Sequence, residues 1–239
     1  MDDPSRLICL TLPGHAEPGI AIAAGRAGAL GILDLEYERR LPSAIQALAD
    51  LARYGKGERG VKLDLSRSEF TPAVLDVLPP EITTILLAGP PVDGFVRQVE
   101  GLRRAGRRIL VEVADVVAAR AAVKAGAQGL ILKGNEAAGL VGEETAFVLL
   151  QHCVRAAVPV PVWVQGGIGL HTAAACVAGG AAGVVLDWQL ALARESELAP
   201  ATATRIALAD GSETVTVGND ELGGAYRVCA RPGLSAVAT

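Results

Sequence analysis

The chain has 239 residues and a mass of 24.5 kDa, enough for one large domain or two small ones, and single α/β barrels commonly use about 200–250 residues. Hydrophobic residues make up 51%, aromatic residues only 3%, and the mean hydropathy is +0.37; this excludes a disordered chain and argues against an aromatic-rich β-sandwich. The 22 basic against 26 acidic side chains leave a net charge of −4, and with no basic stripe interleaved with aromatics a nucleic-acid partner is not expected.

The excess is in Ala, Val, Leu and Gly, the mixture of parallel strands wrapped by small-faced helices. Cys9, Cys153, Cys176 and Cys229 are scattered, without CxxC or metal spacing, which fits a reducing cytoplasm better than a disulfide scaffold. The start, Met1-Asp2-Asp3-Pro4, is acidic rather than cationic. No apolar run reaches the ~18–20 residues of a membrane span.

Short Leu/Val runs alternate with longer Ala-rich amphipathic stretches. The first strand is expected at Leu7–Leu12, with a helix over Pro18–Ala27; the second at Leu30–Leu35, with Pro42–Tyr54. Val61–Leu65 precedes a helix over Pro72–Leu78, and Ile82–Ala88 precedes one over Gly94–Ala105. Ile109–Val113 leads to Val116–Ala125, and Gly129–Lys133 to Glu143–Ala156. The seventh strand, Val160–Gln165, is followed by a helix over His171–Ala178, and the eighth is Ala182–Asp187. Strand beginnings recur every ~20–33 residues, the length of one βα unit. Gly55, Gly106, Gly126 and Gly180 sit where left-handed helix ends favour glycine.

Eight such units point to a (β/α)8 barrel over residues 1–197, followed by a short irregular C-terminal extension over 198–239. Within that extension Ala209–Ser212 is a turn signal and Glu213–Val217 alternates like a strand.

Function in such a barrel gathers at the C-terminal strand ends, with phosphate often held after strands seven and eight. Gln165-Gly166-Gly167-Ile168-Gly169 follows strand seven. Its glycines would let an anion approach free N–H groups beside a helix start; the alternative is a tight turn. After strand six, Lys133-Gly134-Asn135-Glu136 places a cation, an amide and a carboxylate in a flexible loop. Either Lys133 faces the mouth, or Lys133 and Glu136 form a surface pair.

Asp187-Trp188-Gln189 could finish a phosphate cup after strand eight, provided that Asp187 turns away to cap a helix. His15, after Pro13-Gly14, stands at the rim as an acid/base candidate or a solvent-facing loop histidine. His171 reads as structural, and adjacency of His152 and Cys153 in a helix makes no dyad. Asp64, Glu112 and Asp115 fall near strand ends, where one of them could orient a ligand. No metal-ligand spacing and no nucleophile elbow appear.

In this order the motifs resemble the nitronate monooxygenase / 2-nitropropane dioxygenase family, which includes FMN-dependent enoyl reductases and reductase modules of polyketide and fatty-acid-type synthases. Lys133–Gly142 is similar to the family's Gly-x-Glu-Ala-Gly-Gly-His loop, and Gly166-Gly167-Ile168 to its phosphate-binding Gly-Gly-Ile. Leu12-Pro13-Gly14 and Ala27–Leu33 resemble its first βαβ unit.

The resemblance implies an FMN-dependent oxidoreductase, foremost an enoyl-thioester reductase, acting on an acyl thioester that can be carrier-protein bound beside other synthase domains. FMN phosphate would lie on Gly166, Gly167 and Ile168, closed by Asp187, Trp188 and Gln189, with Pro13, Gly14, Lys133 and Gly134 near the ring and His15 and Lys133 as catalytic candidates. The family's loop histidine is Leu140 here, which weakens the nitronate monooxygenase alternative; a non-catalytic docking barrel of a megasynthase and a phosphosugar-type barrel are further readings. The family's covering lobe is expected to be missing, which implies a bare mouth and either self-association as a homo-oligomer or continuation in a longer chain.

Overall fold

In a computed structural model, residues 6–89, 94–219 and 224–230 are described. The first half runs β1 (Leu7–Leu10), α1 (Gly19–Arg26), β2 (Leu30–Asp34), α2 (Leu41–Tyr54), β3 (Arg59–Asp64), α3 (Phe70–Asp76), β4 (Thr84–Ala88) and α4 (Phe95–Arg104). Then come β5 (Arg108–Val113), α5 (Val116–Ala125), β6 (Gly129–Lys133), β7 (Gly139–Val141), α6 (Ala146–Arg155), β8 (Val162–Gln165), α7 (Leu170–Ala178) and β9 (Gly183–Leu186). A 3-10 turn at Trp188–Leu190, α8 (Pro200–Leu208), β10 (Thr214–Asn219) and β11 (Gly224–Cys229) complete the order.

Strands β1–β6, β8 and β9 close a parallel (β/α)8 barrel, β9 pairing back onto β1 through Leu7–Val184 and Cys9–Leu186. The period of two sorts the side chains of each strand. Leu33, Leu63, Ile85, Leu87, Ile109, Leu130 and Val164 point outward and join the buried faces of the helices, among them Ala44, Leu48 and Leu51 of α2 and Ala119 and Ala122 of α5. Ile8, Leu10, Leu30, Ile32, Leu86, Leu110, Ile131, Trp163 and Val185 point inward and form a second, separate core. Beneath it, Arg108 pairs with Glu58 at 3.1 Å and lies 5.2 Å from the Trp163 ring. Above it, toward the C-terminal strand ends, Asp34, Lys62, Glu112, Lys133 and Gln165 stand two residues beyond Ile32, Gly60, Leu110, Ile131 and Trp163, so by the same alternation they also turn inward.

The expected strands and helices are all present, and Val116–Ala125 and Gly129–Lys133 coincide with α5 and β6. Asp115 caps α5 by accepting from the Ala118 N–H, and Gly126 leaves it at φ +99°. Gly106 and Gly180 also have positive φ, but Gly55 leaves α2 in extended backbone at φ −68°. Helix α6 begins at Ala146 rather than Glu143, because the preceding chain is drawn into β7 and the Glu136 carboxylate caps the Ala146 N–H at 2.9 Å.

The extension carries more regular structure than its turn-rich sequence suggests. Besides α8, it forms the hairpin β10–β11, and β11 pairs antiparallel with β7 through Tyr226–Leu140 and Arg227–Gly139. The three-residue β7 was not foreseen because its pairing partner lies more than 80 residues away. This small sheet borders the barrel mouth, which is therefore not bare. Among the described residues no helix is long and apolar enough to cross a membrane.

Trp163 is fully buried in the inner core among Leu110, Ile131 and Val185, so truncating it would open a cavity there. Trp163→Ala is expected to cost about 3–5 kcal/mol, read as a shift of the urea midpoint at unchanged m-value; a loss below ~1 kcal/mol would show that the inner core is not the barrel's main support.

Candidate active site

A cavity of about 840 Å³ opens on the C-terminal face of the barrel, a size that suits a small-molecule ligand. Its floor is the inward-facing charged layer. Lys62 Nζ lies 2.6 Å from Glu36 Oε2, 2.9 Å from Glu112 Oε2 and 3.5 Å from Asp34 Oδ2. Lys133 Nζ donates to Glu112 Oε1 at 2.9 Å, so Glu112 bridges the two lysines. Lys62 and Lys133 are each 2% exposed. Lys133 thus turns into the barrel, and the surface pair with Glu136 does not form.

Two ammonium groups face three carboxylates, so the fully ionised cluster carries one negative charge in excess. Burial opposes the charge on Lys62, but Asp34, Glu112 and Glu36 together hold it protonated well above the usual range. Burial also works against the Glu112 carboxylate, yet Lys133 and Lys62 pull it well below its ordinary value. Asp34 goes the other way: burial pushes it up to about 6, with Lys62 opposing and Glu36 adding to the shift.

Tyr37 reaches over this floor. A Cβ on Gly139 (φ +83°) would lie 2.9 Å from Tyr37 Oη and 3.5 Å from Lys133 Nζ, so the glycine leaves room for both groups. Partial burial and the charge of the nearby Glu36 carboxylate hold the phenol protonated well above its usual range, although the residue as a whole is exposed.

The wall after β8 is the glycine turn. Gly166 and Gly167 have φ of +114° and +60°, conformations that disfavour any side chain. A Cβ on Gly166 would stand 3.2 Å from the Ala137 nitrogen and 3.4 Å from Glu136 Oε2. The N–H groups of Gly166, Gly167 and Ile168 donate to nothing among the described residues, and α7 begins just beyond them without a side-chain cap.

The next wall turns inward on itself. Asp187 accepts from the Trp188 N–H at 2.7 Å and from Gln165 Nε2 at 2.8 Å, while Gln189 Nε2 donates to the Ile168 carbonyl at 2.9 Å. The Asp187 carboxylate is thereby turned to capping and bracing, and Gln189 ties the loops after β8 and β9 together. Pro13 and Trp188 line the cavity; Gly14 is exposed outside the lining, and Gly134 is buried behind it against the Ala146 nitrogen.

The histidines do not converge on the cavity. His15 is exposed and outside the lining, so an acid/base role for it has no geometric support. His171 is exposed at the start of α7, and His152 pairs with Glu144 at 2.7 Å while Cys153 is buried in the core. Leu140 faces a second cavity of about 170 Å³ between Phe95, Val113 and Ala118. Of the three acidic candidates, Asp64 accepts from Ser66 and Asp115 caps α5; only Glu112 enters the barrel.

Asp34, Glu36 and Lys62 were missed by sequence reasoning, although a signal exists. Leu33-Asp34-Leu35-Glu36 and Val61-Lys62-Leu63 place charges at alternate positions inside apolar strand runs, where the pleat turns them toward the barrel axis.

The fold and its mouth-side cavity define an enzyme-type (β/α)8 barrel. Residues 72–229 match the model of the nitronate monooxygenase family, and the chain belongs to that family of oxidoreductases. No curated protein sequence matches the chain. Among solved structures, FabK from Thermotoga maritima superposes with a TM-score of 0.83 at 26% identity, covering 96% of this chain and 73% of that one. Nitroalkane oxidase from Streptomyces ansochromogenes gives 0.79 at 24% identity, over 98% and 79% of the two chains. The enoyl reductase domain of MlnA from the macrolactin biosynthesis cluster of Bacillus amyloliquefaciens gives 0.70 at 13%, over 94% and 63%. The last two share the fold.

The floor generates a pH signature. With its carboxyl near 6 in the native state and about 3.9 when unfolded, Asp34 keeps a proton that the unfolded chain has released. The unfolded state then binds fewer protons, so this group makes stability fall as pH rises from ~4 to ~6. Glu112 acts oppositely, its contribution being lost as pH falls below ~4.5. Urea midpoints for wild type and Asp34→Asn between pH 4 and 7 should differ in slope, the variant being flatter; equal slopes would place the titrating group elsewhere.

Proposed function

We propose that the chain is an FMN-dependent oxidoreductase and that its reaction is the reduction of an enoyl thioester. The observation that carries this reading is the Gly166-Gly167-Ile168 turn: three N–H groups without internal acceptors, beside the start of α7, at the edge of a cavity large enough for a flavin. Such a turn suits a phosphate monoester. The 133–142 loop resembles the family's Gly-x-Glu-Ala-Gly-Gly-His loop, and the family includes enoyl reductases, which supports the substrate class.

The residues present fit the cofactor. Gly166, Gly167 and Ile168 would hold its phosphate, Trp188 offers an apolar face that excludes water, and Lys133 with Gln165 presents polar atoms to a ring at the floor. When bound, FMN supplies hydride chemistry. The ion layer fixes both lysines in place and keeps Lys62 protonated, so the floor is preorganised. Tyr37 Oη holds a proton at the cavity next to Gly139, in a chain whose family loop histidine is replaced by Leu140. Its phenol is a better placed donor than His15. Carrier-protein delivery of the thioester and association with other synthase domains belong to the same proposal.

Titration of FMN into the purified protein should quench flavin fluorescence, and FMN should bind at least ~10-fold more tightly than riboflavin, since charge-assisted hydrogen bonds to the phosphate are each worth roughly 1.5–3 kcal/mol. Gly167→Asp should abolish that preference while leaving the far-UV spectrum unchanged. Absence of quenching in the wild type at excess FMN would refute the cofactor.

Nitronate oxidation is the second reading, favoured by the family match. A neutral nitroalkane must first lose a proton, and general-base assistance is worth typically 10²–10⁴-fold. Leu140 supplies none and faces the second cavity. Oxygen uptake with a neutral nitroalkane should therefore stay at background; turnover well above it would make nitronate chemistry the principal activity.

A further inference from the structure

Three cations line the main cavity, and their surroundings differ. Lys62 and Lys133 are committed to carboxylates in the floor. Arg227, on β11, is the remaining one, and it has no carboxylate partner among the described residues. It is nevertheless held firmly. Its Nε donates to the Asn135 carbonyl and its Nη1 to Thr214 Oγ1 at 2.8 Å, while Nη2 donates to no described residue. The side chain is only half-buried. A guanidinium braced on two sides, with a free donor edge in a cavity, is arranged to receive an anion, and its planar fork suits phosphate.

We propose that Arg227 anchors a phosphate monoester carried by a second ligand of this cavity, either the phosphopantetheine arm of an acyl thioester or the adenosine 2′-phosphate of a nicotinamide dinucleotide. The proposal rests on the reading of this cavity as a substrate site, and it assigns to the cover sheet a recognition role that the glycine turn does not fill. Arg227 is tied to the loop that carries Glu136, whose carboxylate lies against Gly166 and Gly167. The ties of Arg227 run to Asn135 and Thr214 and not to Gly166, Gly167 or Ile168, so Arg227 serves an anion separate from the one on the glycine turn. The net negative floor acts in the same sense, directing the anionic end of a ligand to the rim and its neutral end inward.

The test compares matched ligands on wild type, Arg227→Gln and Arg227→Lys by calorimetry: 4′-phosphopantetheine against pantetheine, NADPH against NADH, and FMN against riboflavin. Wild type should prefer the phosphorylated member of one of the first two pairs by about 10- to 100-fold, and that pair identifies the source. Arg227→Gln should lose this preference, and Arg227→Lys should keep part of it together with its salt dependence. The FMN to riboflavin ratio should be unchanged in both variants. No preference in either of the first two pairs, or a preference that survives Arg227→Gln, overturns the proposal; so does loss of the FMN preference, which would make Arg227 part of the flavin phosphate site. Thermal melts of the Lys variant guard against a folding defect. If FMN fails to bind wild type while the pantetheine or nicotinamide pair is discriminated, the flavin reading falls and the anchor stands.

Discussion

Everything at the mouth depends on one shared carboxylate. Glu112 holds Lys62 with one oxygen and Lys133 with the other, joining strands β3, β5 and β6 across the barrel. Burying charge is costly, and removing one partner of such a set typically costs about 3–5 kcal/mol. The cluster endures because each ammonium has a carboxylate within 3 Å. The apolar layer around Trp163 stabilises the barrel, whereas the charged layer fixes the shape and electrostatics of the cavity floor above it.

Much of the fold was legible because its rules are local. Eight strand runs alternate with Ala-rich helices, several of them ended by glycine, and the parallel barrel follows from that rhythm. The glycine turn after β8 was equally visible, since paired glycines between a strand and a helix have few uses. The floor was half visible: Lys133 was noticed because it ends a strand, whereas Asp34, Glu36 and Lys62 needed the pleat to be followed through an already closed barrel. The small sheet was not readable at all. Leu140 in β7 finds Tyr226 in β11 only because the barrel places both at its mouth, and no local pattern in three residues announces that contact.

The same sheet changes the meaning of the loop after β6. In sequence, Leu140 is simply a missing histidine. In the fold it is a strand residue whose side chain faces the second cavity, while its neighbour Gly139 makes room for the Tyr37 phenol over the floor. The loop carries no titrating side chain at position 140, and the phenol beside Gly139 comes from the β2 side of the barrel. Glu136 steadies the loop by capping α6 and lying against the glycine turn.

The filled interior also constrains traffic. Beneath the ion layer, the barrel is closed by Trp163 and its apolar neighbours, and lower still by the Arg108–Glu58 pair. Glu112 and Lys133 also line the second cavity, so the floor is approached from the C-terminal side of the barrel and not through its plugged N-terminal end. Whatever enters has to leave on that same side. A group handed from one visitor to another has to be stored on the protein whenever the first departs before the second arrives.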